Sequence, residues 1–87
     1  MKITVDSVQM EAVGCVQRLD GRITIMLRTE DEFTTLISRF DGAKQIVAQR
    51  PNQSHTYEGS ARLIGLYRNT EGNLVNITVT GLREVTA

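Results

Sequence analysis

The chain has 87 residues, ten basic and ten acidic, for a formal net charge of zero. That length makes one domain, 1–87, with a limited core, and the charge balance speaks against a nucleic-acid reader, which carries a basic footprint. A single cysteine, Cys15, excludes an intrachain disulfide, and no run approaches the ~18 apolar residues of a membrane helix. The opening Met1-Lys-Ile-Thr-Val-Asp6 alternates instead of forming the apolar block of a signal peptide. The expectation is a cytoplasmic protein.

Ile3 and Val5 alternate with polar residues, the period of a strand. Val8, Met10 and Ala12 continue on the other parity, so a bulge or short turn falls near Asp6-Ser7. Asp20-Gly21 is a two-residue hairpin signal. Centred there, the pairing sets Val16 opposite Ile25 and Gly14 opposite Leu27, with Cys15 facing Met26 on the other side. Ile23, Ile25 and Leu27 form one apolar face, and Gly14 is where the strand can bend.

The period changes after Thr29-Glu-Asp-Glu32, which has the form of a capping box. Three acids there suit the positive end of a helix. Phe33, Leu36, Ile37 and Phe40 fall on one helical stripe of about three turns, and Gly42 is placed to end it. Ala43 to Arg50 reads as a strand with Ile46 and Ala48 on one side, and Pro51-Asn-Gln-Ser54 as a turn.

A long hairpin from Tyr57 to Val85 completes the chain. With Thr70-Glu71-Gly72 as a three-residue loop, Asn69 faces Asn73, Tyr67 faces Val75, Leu63 faces Val79 and Ala61 faces Gly81. The core face then holds Tyr57, Ala61, Leu63, Tyr67, Val75, Ile77, Val79 and Val85. Ile64, Leu66, Leu74 and Leu82 lie on the opposite, otherwise polar face. A sheet exposed on one side alternates cleanly, so this second apolar set marks a candidate protein-contact face. The expected fold is α+β, in the order ββαβββ: a mainly antiparallel twisted sheet or partial barrel, with one helix packed on its concave face.

No constellation points to catalysis. His55 is the only histidine and follows a turn. Cys15 has no local base to activate it. Glu30, Asp31 and Glu32 are explained by a helix start, and the glycines Gly59, Gly65 and Gly72 precede no helix. The expectation is no enzyme, no catalytic residue, no metal, no cofactor and no small-molecule substrate. Among Arg18, Arg22, Arg28, Arg50, Arg62 and Arg68, the pair Arg62 and Arg68 shares a hairpin face with Asn76, Thr78 and Thr80. These two are the candidate contacts of an alternative reading, a small nucleic-acid or ligand-binding module. It is disfavoured because both tyrosines fall on the core face.

The stretch Tyr57-Glu-Gly-Ser, Leu63-Ile64, Tyr67-Arg68 and Gly72-Asn-Leu-Val75-Asn-Ile77-Thr-Val79 resembles the C-terminal part of short phage and prophage proteins of Gram-positive bacteria. The Met1-Lys-Ile-Thr-Val start and a helix near Glu30–Phe40 fit the same pattern; Ser60 departs from it, since a second aromatic is frequent there. The resemblance implies a structural protein of a head, neck or tail module, virion-associated in that case, that self-associates or docks on other structural proteins. It brings no catalytic residue.

Overall fold

A computed structural model of the chain describes residues 1–69 and 73–85. Its elements are β1 (Lys2–Val5), β2 (Val8–Gln17), β3 (Ile23–Arg28), α1 (Phe33–Phe40), β4 (Gln45–Arg50), β5 (Gln53–Asn69) and β6 (Leu74–Val85). The strands form two antiparallel meanders, β1–β2–β3 and β4–β5–β6. Each meander supplies both seams to the other: β1 pairs with β4 and β3 with β6. The result is a closed six-stranded barrel in the order β1-β2-β3-β6-β5-β4.

The expected open sheet or partial barrel is therefore corrected. The order of elements was legible, but the β1–β4 seam was not. Val5 pairs with Ile46 and Ile3 with Ala48, and all four are buried. Closure gives each of the described strands a neighbour on both sides. The helix does not lie on a concave sheet face. It runs from the end of β3 to the start of β4, over the end of the barrel where β1 finishes, and inserts Leu36 and Phe40 into the same core as Ile25, Ile46 and Ile77.

The helix is shorter than the stripe suggested. Eight residues make just over two turns. Leu36 and Phe40 are buried, whereas Phe33 and Ile37 are exposed. No capping box forms: the N-cap is Glu32 without a side-chain cap, and Thr29 Oγ1 accepts from the Asp31 amide. The acids precede the first turn instead of occupying it. Gly42 does follow the helix with φ of 86°, and its amide donates to the Ala61 carbonyl. Asp41 accepts from the Leu63 amide at 3.0 Å, fastening the helix end to β5.

Turn geometry and bulges set the strand registers. Asp6 and Ser7 both take positive φ, giving a tight two-residue turn between β1 and β2. The Asp6 carboxylate accepts from the Lys44 and Gln45 amides at 2.9 to 3.1 Å, which ties this turn to the start of β4. At the β2–β3 turn, Arg18 N donates to Arg22 O and Gly21 N to Arg18 O. The loop is three residues, Leu19-Asp20-Gly21, with Gly21 at positive φ. The two-residue reading is off by one. Cys15 therefore pairs with Ile25 and faces the core, and Val16 pairs with Thr24 and faces out.

β5 carries two bulges opposite β6, between Gly59 and Arg62 and between Leu63 and Gly65. Each adds one residue and reverses the side-chain parity beyond it. Leu63 faces Val79 as expected, but Leu66 then faces Ile77, Tyr67 faces Asn76, and Tyr57 faces Glu84. Leu82 is 5% exposed and belongs to the core, while Tyr67 and Val85 are exposed. The Thr70-Glu71-Gly72 loop lies outside the described residues.

Candidate functional site

The second apolar set of the hairpin is not one surface. Leu82 is inside the barrel, Leu66 packs against the core, Leu74 is half-buried and Ile64 is exposed at its bulge. The anomaly in the sequence came from assuming one unbroken alternation through both strands of the hairpin, β5 and β6.

Arg62 and Arg68 are separated by the same bulge. Arg62 stands opposite Thr80 on the outer wall. Arg68 stands opposite the buried Val75 and turns toward α1. Its guanidinium lies over the Phe33 ring, 5.3 Å from the centroid, and donates to the Asp31 carbonyl. Arg68 is a helix-end fastener.

The apolar surface that is exposed lies elsewhere. Val13 and Val16 of β2 are exposed, and Leu19 at the β2–β3 tip is fully exposed at 110%; Val8, at the far end of β2, is exposed too but pairs with the buried Val5 and belongs to the opposite side of the strand. Sequence reasoning missed this stripe because the two-residue turn put Val16 in the core. Gly21, three residues after Arg18, was the available signal for a three-residue loop with a left-handed third position.

The stripe continues across the outer wall. One row runs Val16, Thr24, Thr78, Gly65 across β2, β3, β6 and β5, and the next runs Gly14, Met26, Asn76, Tyr67. Thr24 and Thr78 hydroxyls lie 3.3 Å apart. Arg18 Nε donates to Thr24 Oγ1 at 3.4 Å. Arg22 and Arg62 stand toward the β2–β3 tip and Arg28 toward α1. The two rows carry no carboxylate; Asp20, in the tip itself, pairs with Arg22 at 3.3 Å.

The reactive side chains are committed to the fold. Cys15 is buried, and burial pushes its thiol pKa up, only partly opposed by the Arg50 charge. Arg50 Nη2 donates to the Cys15 carbonyl at 2.9 Å. His55 Nδ1 lies 2.9 Å from Glu84 Oε2, and its ring stacks on Tyr57 at 6.4 Å. Burial also raises the Tyr57 pKa, with Cys15 and Glu84 adding to it. Among the described residues no group of three or more His, Cys, Asp or Glu could hold a metal ion. No helix among them is long and apolar enough to cross a membrane.

Compared with family models, curated proteins and solved structures, the chain matches none.

Proposed function

We propose that this chain is a non-catalytic assembly protein that works by protein–protein contact and associates with copies of itself. The observation that carries the reading is the group of exposed apolar side chains at one end of β2 and its turn, Val13, Val16 and Leu19. Isolated surface apolar residues need no explanation, but several on one strand favour a contact surface. The wall beside them is rich in hydroxyl, amide and aromatic groups, and Arg and Tyr are enriched in protein interfaces. A chain of zero net charge offers no long-range repulsion between copies. The setting proposed is a phage or prophage head, neck or tail module, cytoplasmic before assembly and virion-associated after it. Portal, capsid or tail genes beside the coding gene support that setting, and their absence removes it.

Sedimentation tests the contact reading. The natural sequence should associate at micromolar concentration, and Val13→Glu/Val16→Glu should remain folded and become monomeric. A natural chain that stays monomeric contradicts self-association.

One observation favours a second reading. Tyr67 is 64% exposed on the outer wall, not in the core, with Arg62 and Arg22 on the same wall. A single strand of nucleic acid would stack on such a ring and run its phosphates along the arginines. Salt-dependent retention on single-stranded DNA, lost in Tyr67→Ala/Arg62→Ala, supports it. No retention at low salt removes it.

A further inference from the structure

The zero net charge is unevenly placed. The outer wall formed by β2, β3, β6 and β5 ends, toward the β2–β3 tip, in a line of Arg18, Arg22, Thr80 and Arg62. Arg62 stands opposite Thr80, Arg22 directly precedes the Ile23–Val79 pair, and the Arg18 amide donates to the Arg22 carbonyl. All three arginines are exposed. Arg62 has no hydrogen bond or ion pair among the described residues. Arg18 commits only its Nε, to Thr24 Oγ1, which leans its guanidinium toward the hydroxyl row. Arg22 shares its charge with Asp20, an exposed pair that holds it weakly. Carboxylates gather at the other end of the wall, where Glu30, Asp31 and Glu32 follow the Arg28 end of β3.

Between these two ends the wall offers contacts without charge. Thr24, Thr78 and Gly65 form the row nearer the arginines, and Met26, Asn76 and Tyr67 the row nearer α1. The exposed Tyr67 presents a π face. Asn76 supplies an amide donor and acceptor, and Met26 a polarizable thioether. Cations along one edge and stacking groups along the other match a nucleotide, whose phosphate and base lie on opposite sides of its sugar.

Resting on the second reading above, and independent of self-association, we infer that a single strand of nucleic acid crosses this wall from β2 to β5, its phosphates along Arg18 and Arg62 and its bases over Met26, Asn76 and Tyr67. The charges set that orientation. A strand laid the other way would bring its phosphates to Glu30, Asp31 and Glu32 and leave the arginines facing bases. The wall also sets the length. Three strand spacings of ~4.8 Å make ~14 Å, room for about four stacked nucleotides at ~3.4 Å each, the low end of what one single-strand-binding barrel covers.

Tyrosine emission reads the contact. The protein has no tryptophan and two tyrosines, of which Tyr57 is buried and Tyr67 exposed. Oligothymidine added at low salt should quench that emission. The logarithm of the binding constant should fall against the logarithm of salt with a slope of about −1.4 to −2.1, ~0.7 for each phosphate met by two or three arginines. Arg18→Ala and Arg62→Ala should each flatten the slope by ~0.7. Arg83→Ala, at an exposed arginine opposite Glu58 and outside these rows, should leave it unchanged. Tyr67→Ala, followed by the anisotropy of a labelled oligothymidine, should bind about tenfold more weakly at an unchanged slope. Circular dichroism checks that each variant keeps the fold. If Arg83→Ala weakens binding as much as Arg62→Ala, or Tyr67→Ala binds like the natural chain, the crossing is overturned while charge-driven binding stands. Polyglutamate bound as tightly as oligothymidine overturns it too, in favour of an acidic peptide. If no oligothymidine is bound at low salt, the nucleic-acid reading itself falls.

Discussion

Gly59 and Gly81 cross so closely that a Cβ on Gly59 would lie 2.4 Å from the Gly81 carbonyl oxygen. A Cβ on Gly81 would lie 2.3 Å from the Ser60 carbonyl oxygen. Both glycines also have positive φ, 147° and 90°. They sit at the first β5 bulge, where Gly59 pairs with Leu82. This crossing lets the hairpin switch parity and turn Leu82 into the core.

Gly81→Ala is therefore expected to destabilise the fold. A non-glycine residue held at such a φ costs of order 1–3 kcal/mol, and the contact with Ser60 adds to it. Gly21→Ala, with positive φ but open space around it, should cost less. Denaturant unfolding of the two variants checks the order. Equal losses would contradict a steric role for the crossing.

Within α1, burial predicts a steep contrast. Phe40→Ala should cost ~3–5 kcal/mol, since Phe40 is fully buried among the barrel residues. Ile37→Ala, at an exposed position, should fall within about 0.5–1 kcal/mol. Urea midpoints of both variants check it, and similar losses would contradict a helix that inserts only Leu36 and Phe40.

Alkaline pH should weaken the fold through Cys15 and Tyr57. Both pKa values are raised in the native state, chiefly by burial. A group raised on folding contributes stability that is complete below its unfolded pKa and is lost as pH rises toward the folded one. Stability should thus be flat through neutral pH and fall above the ordinary thiol range. Cys15→Ala should shift the start of that fall to higher pH, toward the ordinary tyrosine range. A thiol reagent should react slowly with the native chain and rapidly once it is unfolded.

The regular parts of this fold were legible in the sequence. Ile23, Ile25 and Leu27 read as one buried face, the alternation of Ile46 and Ala48 placed the fourth strand, and Leu36 and Phe40 marked the helix; all are buried where the periodicity put them. Registers were not legible, because one residue decides them. A third residue in the Leu19-Asp20-Gly21 turn exchanged Cys15 and Val16 between core and surface. The second β5 bulge did the same to Tyr67, and the left-handed Gly81 of β6 did it to Leu82. Period-two patterns carry no mark of such insertions beyond scattered glycines such as Gly59 and Gly65. The contact surface depended on parity, so it was hidden until the turns were known. The β1–β4 seam, Lys2 with Gln49 through Val5 with Ile46, joins segments far apart in sequence and leaves no local trace.

Sedimentation velocity of the natural chain beside Val13→Glu/Val16→Glu, over a range of micromolar concentrations, tests the assembly reading most directly. The account predicts mass that grows with concentration for the natural chain and a folded monomer for the variant. A natural chain that remains monomeric throughout, or a variant that associates just as well, would contradict it.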